Sequence, residues 1–180
     1  MQVIGIVGLP GSGKSEAAAV AREEGIPVVT MGDVIRAACR DRGLDPATHH
    51  GRVAKALREE DGPAAIADRS LPHIREALED SDTVLVDGIR SGVEVESFEE
   101  AFGEDFRLVR IEAPFDLRAE RLSDRGRDAD ETGGGESLED RDERELGFGM
   151  GRAMERADIT IENDGPLSEF RDAVREVLRE

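Results

Sequence analysis

Cysteine, lysine and the larger aromatic residues are scarce in this chain. Its 180 residues include one cysteine, Cys39, no tryptophan and no tyrosine, and the only lysines among 24 basic residues are Lys14 and Lys55. A single cysteine excludes an internal disulfide bond and a multi-cysteine metal site. The lack of Trp and Tyr argues against recognition of nucleic acid by a platform of stacked aromatic rings.

Positive charge and long apolar runs are also lacking. The formal net charge is −18, with 42 acidic residues, which argues against binding to nucleic acid or to an anionic membrane, since both need a basic face. No apolar run approaches the roughly 18 to 20 residues of a membrane span, and no basic segment followed by a long apolar stretch precedes the first predicted strand. We therefore expect a cytoplasmic protein in which a local basic pocket holds any polyanionic ligand.

The excess of carboxylates also indicates an environment. These groups repel one another, and salt screens that repulsion best near 1 M, where the Debye length falls to about 3 Å. An acid-rich, lysine-poor composition favours a halophile, with an ordinary acidic soluble protein as the alternative.

A phosphate-binding pattern lies near the start of the chain. The stretch GLPGSGKS follows the apolar run Val3–Val7 and precedes a helical segment, which is the strand–loop–helix setting that a phosphate-binding loop requires. Loop amides and Lys14 are predicted to bind nucleotide phosphates, and Ser15 to ligate Mg²⁺. The predicted nucleotide-binding residues are Gly8, Leu9, Pro10, Gly11, Ser12, Gly13, Lys14 and Ser15.

Apolar strands alternate with helical patterns along the rest of the chain, which predicts an α/β fold with a mostly parallel sheet covered on both faces. The predicted strands are Val3–Val7, Pro27–Val29, Thr83–Val86, Leu108–Glu112 and Ile159–Glu162. The predicted helices span about 15–24, 33–42, 53–60, 63–79, 92–101, 115–124, 138–146 and 166–179. Ligands are expected at the carboxyl ends of the strands.

The glycine-rich stretch RGRDADETGGGES, residues 125–137, predicts a loop between two helices. It is interpreted as a lid, or alternatively as a disordered surface insertion. Phosphoryl transfer needs cations that close over the transferring group, and arginines flank this stretch. We favour Arg121, Arg125 and Arg141 as catalytic, although each could instead form a surface ion pair.

The segment TMGDVIRAA, residues 30–38, resembles the part of adenylate kinases that holds the acceptor nucleotide. The resemblance implies that Arg36 contacts the acceptor phosphate and that Thr30 supports it with a hydroxyl. Asp33 is a further acceptor-site candidate, or a helix cap. The alternative for Arg36 is a solvent-facing position.

The stretch TVLVDGIRSG places Asp87 at the carboxyl edge of a predicted strand. Asp87 can there hold Mg²⁺ together with Ser15, or position the acceptor. Gly88 allows close backbone approach to a ligand, and Arg90 can bind the acceptor phosphate as a fork. Adenylate kinases carry a similar Asp-Gly…Pro-Arg stretch, but this chain lacks the proline and brings the arginine one residue closer. The alternative is a turn with a surface ion pair.

The remaining polar features are weaker. The segment ADITIENDG resembles the carboxyl-terminal part of dephospho-coenzyme A kinases, where the turn lies near the adenine, although Asn163-Asp164-Gly165-Pro166 is also good turn chemistry by itself. No Asn-Lys-x-Asp stretch is present, so a GTPase is set aside. The histidines His49, His50 and His73 are interpreted as surface residues.

Together these segments resemble the nucleoside-monophosphate-kinase branch of P-loop proteins, and over nearly the whole chain an archaeal family described as dephospho-coenzyme A kinase-like or adenylate-kinase-related. The resemblance implies a three-layer P-loop fold with a five-stranded parallel sheet in the order 2-3-1-4-5. We expect one domain, residues 1–180, with an acceptor-binding helical region at about 31–80 and a lid at about 122–145.

The predicted function is transfer of the γ-phosphoryl group of Mg²⁺-ATP to a small nucleotide-type acceptor, first a nucleoside monophosphate. Dephospho-coenzyme A is the second acceptor considered. An ATP-binding switch or slow ATPase that acts on a protein partner is the third hypothesis. The sequence does not indicate an oligomeric state.

Overall fold

The computed structural model describes residues 1–128 and 137–179, apart from the side chains of residues 125–128. The strands in this part of the chain are β1 (Gln2–Val7), β2 (Val28–Thr30), β3 (Thr83–Asp87), β4 (Phe106–Glu112) and β5 (Ile159–Glu162). They form one parallel sheet in the order β2-β3-β1-β4-β5. The predicted fold class and strand order are thus confirmed, and the predicted strand bounds differ by at most two residues.

Helices lie on both faces of this sheet. They are α1 (Lys14–Glu23), α2 (Met31–Asp41), α3 (Pro46–Asp61), α4 (Ala65–Asp80), α5 (Gly92–Phe102), α6 (Phe115–Asp128), α7 (Leu138–Gly147), α8 (Met150–Glu155) and α9 (Leu167–Arg179), with a 3₁₀ turn at Gly103–Asp105.

The apolar core has one layer on each side of the sheet. One layer packs α2, α3, α4, α5 and α8 against the sheet and includes the buried side chains of Leu57 and Phe98. The other packs α1 and α9 against the sheet around Val20 and Phe170. Each fully buried side chain of this size contributes about 1.5–3 kcal/mol relative to an exposed one, so both layers hold the strand ends in place.

Two helical predictions are corrected. Helix α3 begins at Pro46 rather than near residue 53, because Asp45 caps it by accepting the N–H of Ala47 at 3.0 Å and proline fits the first helical turn. This earlier start includes His49 and His50 in the helix. Helix α8 was not predicted, because its six residues lie among glycines and are too short for a clear helical periodicity.

The described part of the chain contains no candidate membrane span. None of its helices is both long and apolar enough to cross a bilayer.

Candidate active site

The phosphate loop connects β1 to α1 at the carboxyl edge of the central strand. Gly13 precedes α1 with φ of 122°, a conformation that disfavours any side chain, and an added Cβ would lie 2.4 Å from Nδ2 of Asn163. The loop and the turn after β5 therefore approach each other so closely that only glycine fits here.

Lys14 opens α1 and points back along the loop. Its Nζ donates hydrogen bonds to the carbonyl oxygens of Gly8, at 2.5 Å, and of Leu9, at 3.2 Å. Burial lowers the pKa of the Lys14 ammonium, while the negative charges of Asp87 and Glu145 oppose that shift. The loop's own carbonyl oxygens thus bind the ammonium that a phosphate would attract.

Asn163 fixes the loop from the other side. This side chain is 5% exposed, and its Nδ2 donates to the carbonyl oxygen of Ser12 at 2.8 Å. Arg121 donates to the carbonyl oxygen of Asn163 at 2.9 Å and lies 3.4–3.5 Å from the carbonyl oxygens of Gly11 and Ser12. From the sequence, Asn163 was expected in a turn, which by resemblance lies near an adenine, and Arg121 was expected on a phosphate rather than on the loop itself.

Arg118 joins three segments around the loop. Its guanidinium makes two hydrogen bonds of 2.8 Å to the carboxylate of Asp142 on α7, and it donates to the carbonyl oxygens of Ala113 and Pro10 at 3.2 Å. Only 5% of the residue is exposed. Arg118, which was not favoured among the lid arginines, thus links α6, α7 and the phosphate loop.

A cavity of about 450 Å³ opens beside the loop, within the usual size range of small-ligand sites. The residues of the phosphate loop, the β2–α2 junction, α3, the loop after β3 and α7 meet there. Its polar and charged lining residues are Lys14, Ser15, Thr30, Arg36, His50, Arg58, Asp87, Arg90, Arg141 and Glu145. Five of these carry a cation and two a carboxylate, so the cavity is a basic site in a chain of formal charge −18.

Most predicted site residues meet at this cavity. Of the phosphate loop, Gly8, Pro10 and Gly11 line it as well as Lys14 and Ser15. Thr30 lies at the end of β2, in register with Asp87 on β3, and both side chains reach the cavity. Gly88 lines it with φ of 104°, and a Cβ added there would lie 3.3 Å from Cβ of Met31.

Five of the predicted site residues are absent from the described lining of the cavity: Leu9, Ser12, Gly13, Asp33 and Arg121. The side chain of Asp33 is 70% exposed and accepts hydrogen bonds of 2.6 and 2.9 Å from the guanidinium of Arg36. Asp33 therefore supports the side chain of Arg36, and its contact with an acceptor stays a prediction. Arg125 belongs to α6 by its backbone, but its side chain lies outside the described residues, as does the glycine-rich stretch 129–136.

Arg36, Arg58 and Arg90 each have a carboxylate beside them. Arg36 pairs with Asp33 and Arg58 with Glu94, and neither carboxylate is part of the described lining. Arg90 lies 3.5 Å from Glu145, which does line the cavity although it is only 6% exposed. An incoming anion would therefore meet Glu145 as its competitor for Arg90.

His50 is the clearest correction to the sequence analysis. It faces the cavity from α3 beside Gly32, and burial lowers the pKa of its imidazole, with Arg36 and Arg90 acting in the same direction. The Asp45-Pro46 start signal of α3 could have revealed this placement. Arg58 and Glu145 were also missed, because nothing local distinguishes them from the other charged residues of their helices.

The donor set at the cavity suits magnesium. Mg²⁺ prefers a few oxygen ligands and leaves other positions to water and phosphate, and Ser15 and Asp87 both offer oxygens here. Groups of three or more His, Cys, Asp or Glu side chains that could hold a metal are absent from the described residues. Such a site would need the phosphates of a nucleotide to complete it.

The sequence of this chain is similar to a family model and to several known proteins. A family model described as an AAA domain matches residues 7–138. A UPF0200 protein of Halobacterium salinarum is 61% identical over 99% of this chain and 93% of its own length. A UPF0200/UPF0201 protein of Archaeoglobus fulgidus is 49% identical over 99% of this chain and 55% of its own length. The relatives are thus archaeal and include halophilic proteins.

Solved structures agree on the fold. TT1252 from Thermus thermophilus has a TM-score of 0.66 at 23% identity, with 99% of this chain and 96% of that chain covered. A dephospho-CoA kinase from Campylobacter jejuni has a TM-score of 0.63 at 16% identity, with 100% and 97% covered. A shikimate kinase from Acinetobacter baumannii, in complex with shikimate, has a TM-score of 0.57 at 19% identity, with 99% and 92% covered. The chain therefore belongs to the AAA-domain family of the matching model and to the UPF0200 proteins, and it has the fold of P-loop kinases.

Proposed function

We propose that the protein is a Mg²⁺-ATP-dependent phosphotransferase that moves the γ-phosphoryl group to a small nucleotide-type acceptor. The observation that carries this proposal is the continuity of the cavity, which runs from the phosphate loop to Arg36, Arg58 and Arg90. Hydrolysis of ATP alone needs no second group of cations beyond the loop. Transfer to an anionic acceptor does, because positioning and charge neutralisation supply most of the catalysis.

The donor half of the site follows from the loop. Lys14 and the loop amides bind the donor phosphates, with Ser15 and Asp87 as the residues that would hold the ion. The ion would neutralise phosphate charge and orient the transferring group. Among the lid arginines whose side chains are described, Arg141 lines the cavity, whereas Arg121 donates to the loop.

The acceptor half consists of Thr30, Arg36, Gly88 and Arg90. In this proposal, residues 31–80 form the acceptor-binding region and residues 122–145 the lid of one domain. A nucleoside monophosphate is the first acceptor, because its phosphate is already an anion near neutral pH and needs no base. Dephospho-coenzyme A is the second, since Glu145 offers a buried carboxylate that could take the proton of a ribose hydroxyl.

The test is Mg²⁺-ATP consumption in high KCl with AMP, CMP, UMP, GMP, their deoxy forms and dephospho-coenzyme A, with each product identified by mass. Fast transfer to one acceptor supports the kinase and names its substrate. Slow ATP loss that is equal with every acceptor and with none would contradict it and support the switch or slow ATPase. Lys14→Met serves as the inactive control for contaminating kinases.

A further inference from the structure

Glu94, in the first turn of α5, is a buried carboxylate with two separate tasks. It is 1% exposed. Its Oε2 accepts the backbone N–H of Arg90 at 2.8 Å, and its Oε1 lies 3.4 Å from Nη2 of Arg58. One side chain therefore ties the loop after β3 to helix α3, and so ties together two arginines that line the cavity.

The contact between Glu94 and Arg58 is too long to occupy all the hydrogen-bond donors of the Arg58 guanidinium. Charge-assisted hydrogen bonds measure about 2.7–2.9 Å, and arginine has five N–H donors. Phe148 flanks the same guanidinium, with its ring centroid 5.9 Å from Cζ. The side chain is 25% exposed and lines the cavity, so Arg58 keeps donors available to a ligand while Glu94 and Phe148 fix its position.

We infer that Arg58 binds the anionic group of the phosphoryl acceptor, and that Glu94 is the positioning residue that holds Arg58 and Arg90 on one wall of the cavity. The inference rests on the proposed function and adds to its acceptor half. The acceptor is accordingly a small molecule with an anionic group that reaches α3. The competing explanation is that Arg58 only neutralises Glu94 for the sake of the fold.

The two substitutions Glu94→Gln and Arg58→Gln separate these explanations. An amide at position 94 still accepts the N–H of Arg90 but no longer attracts Arg58. Each variant is expected to raise the KM for the acceptor about 10-fold or more, the scale of one lost hydrogen bond to a charged group, with kcat and the KM for ATP much less affected. The double variant is expected to resemble each single one, because both act through the same guanidinium.

Matched controls lie on the same two helices. Arg52→Gln changes an exposed arginine of α3, and Glu96→Gln changes a carboxylate of α5 that is 59% exposed and pairs with Arg156. Neither should change the KM for the acceptor. Arg58→Lys, which keeps the charge without the fork, should restore part of the affinity and guards against a variant that fails to fold.

A lower melting temperature in Glu94→Gln with an unchanged acceptor KM would overturn the inference, as would an unchanged KM in Arg58→Gln. Failure of the proposed function looks different, because then no acceptor accelerates ATP loss even in the wild type. In that case calorimetric titration of AMP, CMP, UMP and GMP into wild type and Arg58→Gln tests the inference alone. Weaker binding to the variant supports it, and equal binding or none overturns it.

Discussion

The side-chain amide of Asn163 donates a hydrogen bond of 2.8 Å to the carbonyl oxygen of Ser12, across 151 positions of sequence. The backbone N–H of Asn163 is held in turn by the carbonyl oxygen of Glu112, at 2.7 Å, at the end of β4. The curvature of the phosphate loop thus depends on a residue beyond β5. Ligand binding at the loop and the stability of the carboxyl-terminal part of the chain are therefore coupled.

Asn163→Ala should weaken ATP binding. It leaves the buried carbonyl of Ser12 without its amide donor, a change that typically costs about 1–3 kcal/mol, and it frees the loop to leave its phosphate-binding shape. The KM for ATP is expected to rise about 5- to 150-fold by the same arithmetic. Asp164→Ala, one residue further and exposed, is the control, and equal KM values for both variants would contradict the coupling.

Lys14→Met should abolish turnover without unfolding the protein. In the proposed function the ammonium supplies the charge that faces the transferring phosphates, so steady-state kinetics should show no activity above background. In the absence of ligand the melting temperature should be equal to or above that of the wild type, because the substitution removes a charge that burial disfavours. An active variant would contradict the role of Lys14.

The same lysine predicts a pH dependence for stability. Since the folded-state pKa of Lys14 lies below its unfolded value of 10.5, the unfolded chain binds the proton more tightly in the window between the two. This group therefore raises the free energy of unfolding as pH rises through that window. The slope should be smaller in Lys14→Met than in wild type when denaturant melts are compared above neutral pH, and identical slopes would contradict the assignment.

Arg118→Ala should destabilise the protein more than the loss of any single surface arginine. The substitution removes the hydrogen-bond donors that lie 2.8 Å from the two carboxylate oxygens of Asp142. The carboxylate, whose side chain is 14% exposed, is then left without its partner. Removal of one partner of a buried pair costs about 3–5 kcal/mol, to be measured by urea unfolding. Arg22→Ala, at an exposed position of α1, should stay within about 0.5 kcal/mol of wild type, and similar losses in both variants would contradict the anchor role.

Glu145→Gln distinguishes the two acceptors. With a phosphate as nucleophile no base is required, so kcat should change little and the acceptor KM should fall, because the carboxylate that competes for Arg90 is gone. Glu143→Gln, exposed on the same helix, should leave both constants unchanged. A fall in kcat of about 100-fold or more, the usual contribution of a general base, would instead identify a hydroxyl acceptor.

Stability should rise with KCl. A formal charge of −18 gives a repulsion that salt screens. The ion pairs between α1 and α9, which join Arg171 to Glu16 and Glu23, are screened as well, but solvent-accessible pairs contribute at most about 1 kcal/mol each. Thermal melts from low to multi-molar KCl test the balance, and a flat or falling midpoint would contradict it.

The fold was predictable because its signals are local. Buried β-branched strands, Gly13 before Lys14, and Asp87 at a strand end are each read from a few neighbouring residues, and parallel strands then bring their carboxyl ends together. The start of α3 was also predictable from local residues, namely Asp45-Pro46. Because this signal was not used, His50 was predicted on a surface connection instead of in the helix.

The supporting partners were not predictable in the same way. Arg118 and Asp142 are 24 positions apart, and Arg58 and Glu94 are 36 apart. In a chain with 24 basic and 42 acidic residues, many arginines and carboxylates share a similar local pattern. Which of them becomes buried is decided by the packing of one helix against another.

The cavity is basic whereas the whole protein is acidic, so the rate at which anionic ligands bind depends on the distance over which these charges act. Where the Debye length is about 10 Å, near 0.1 M salt, an approaching ATP experiences the net negative charge before it reaches the cations of the pocket. Near 1 M the repulsion ends about 3 Å from the surface, while the short-range contacts inside the cavity persist. Association with anionic ligands should therefore become faster as salt increases, opposite to proteins whose overall field steers anions inward.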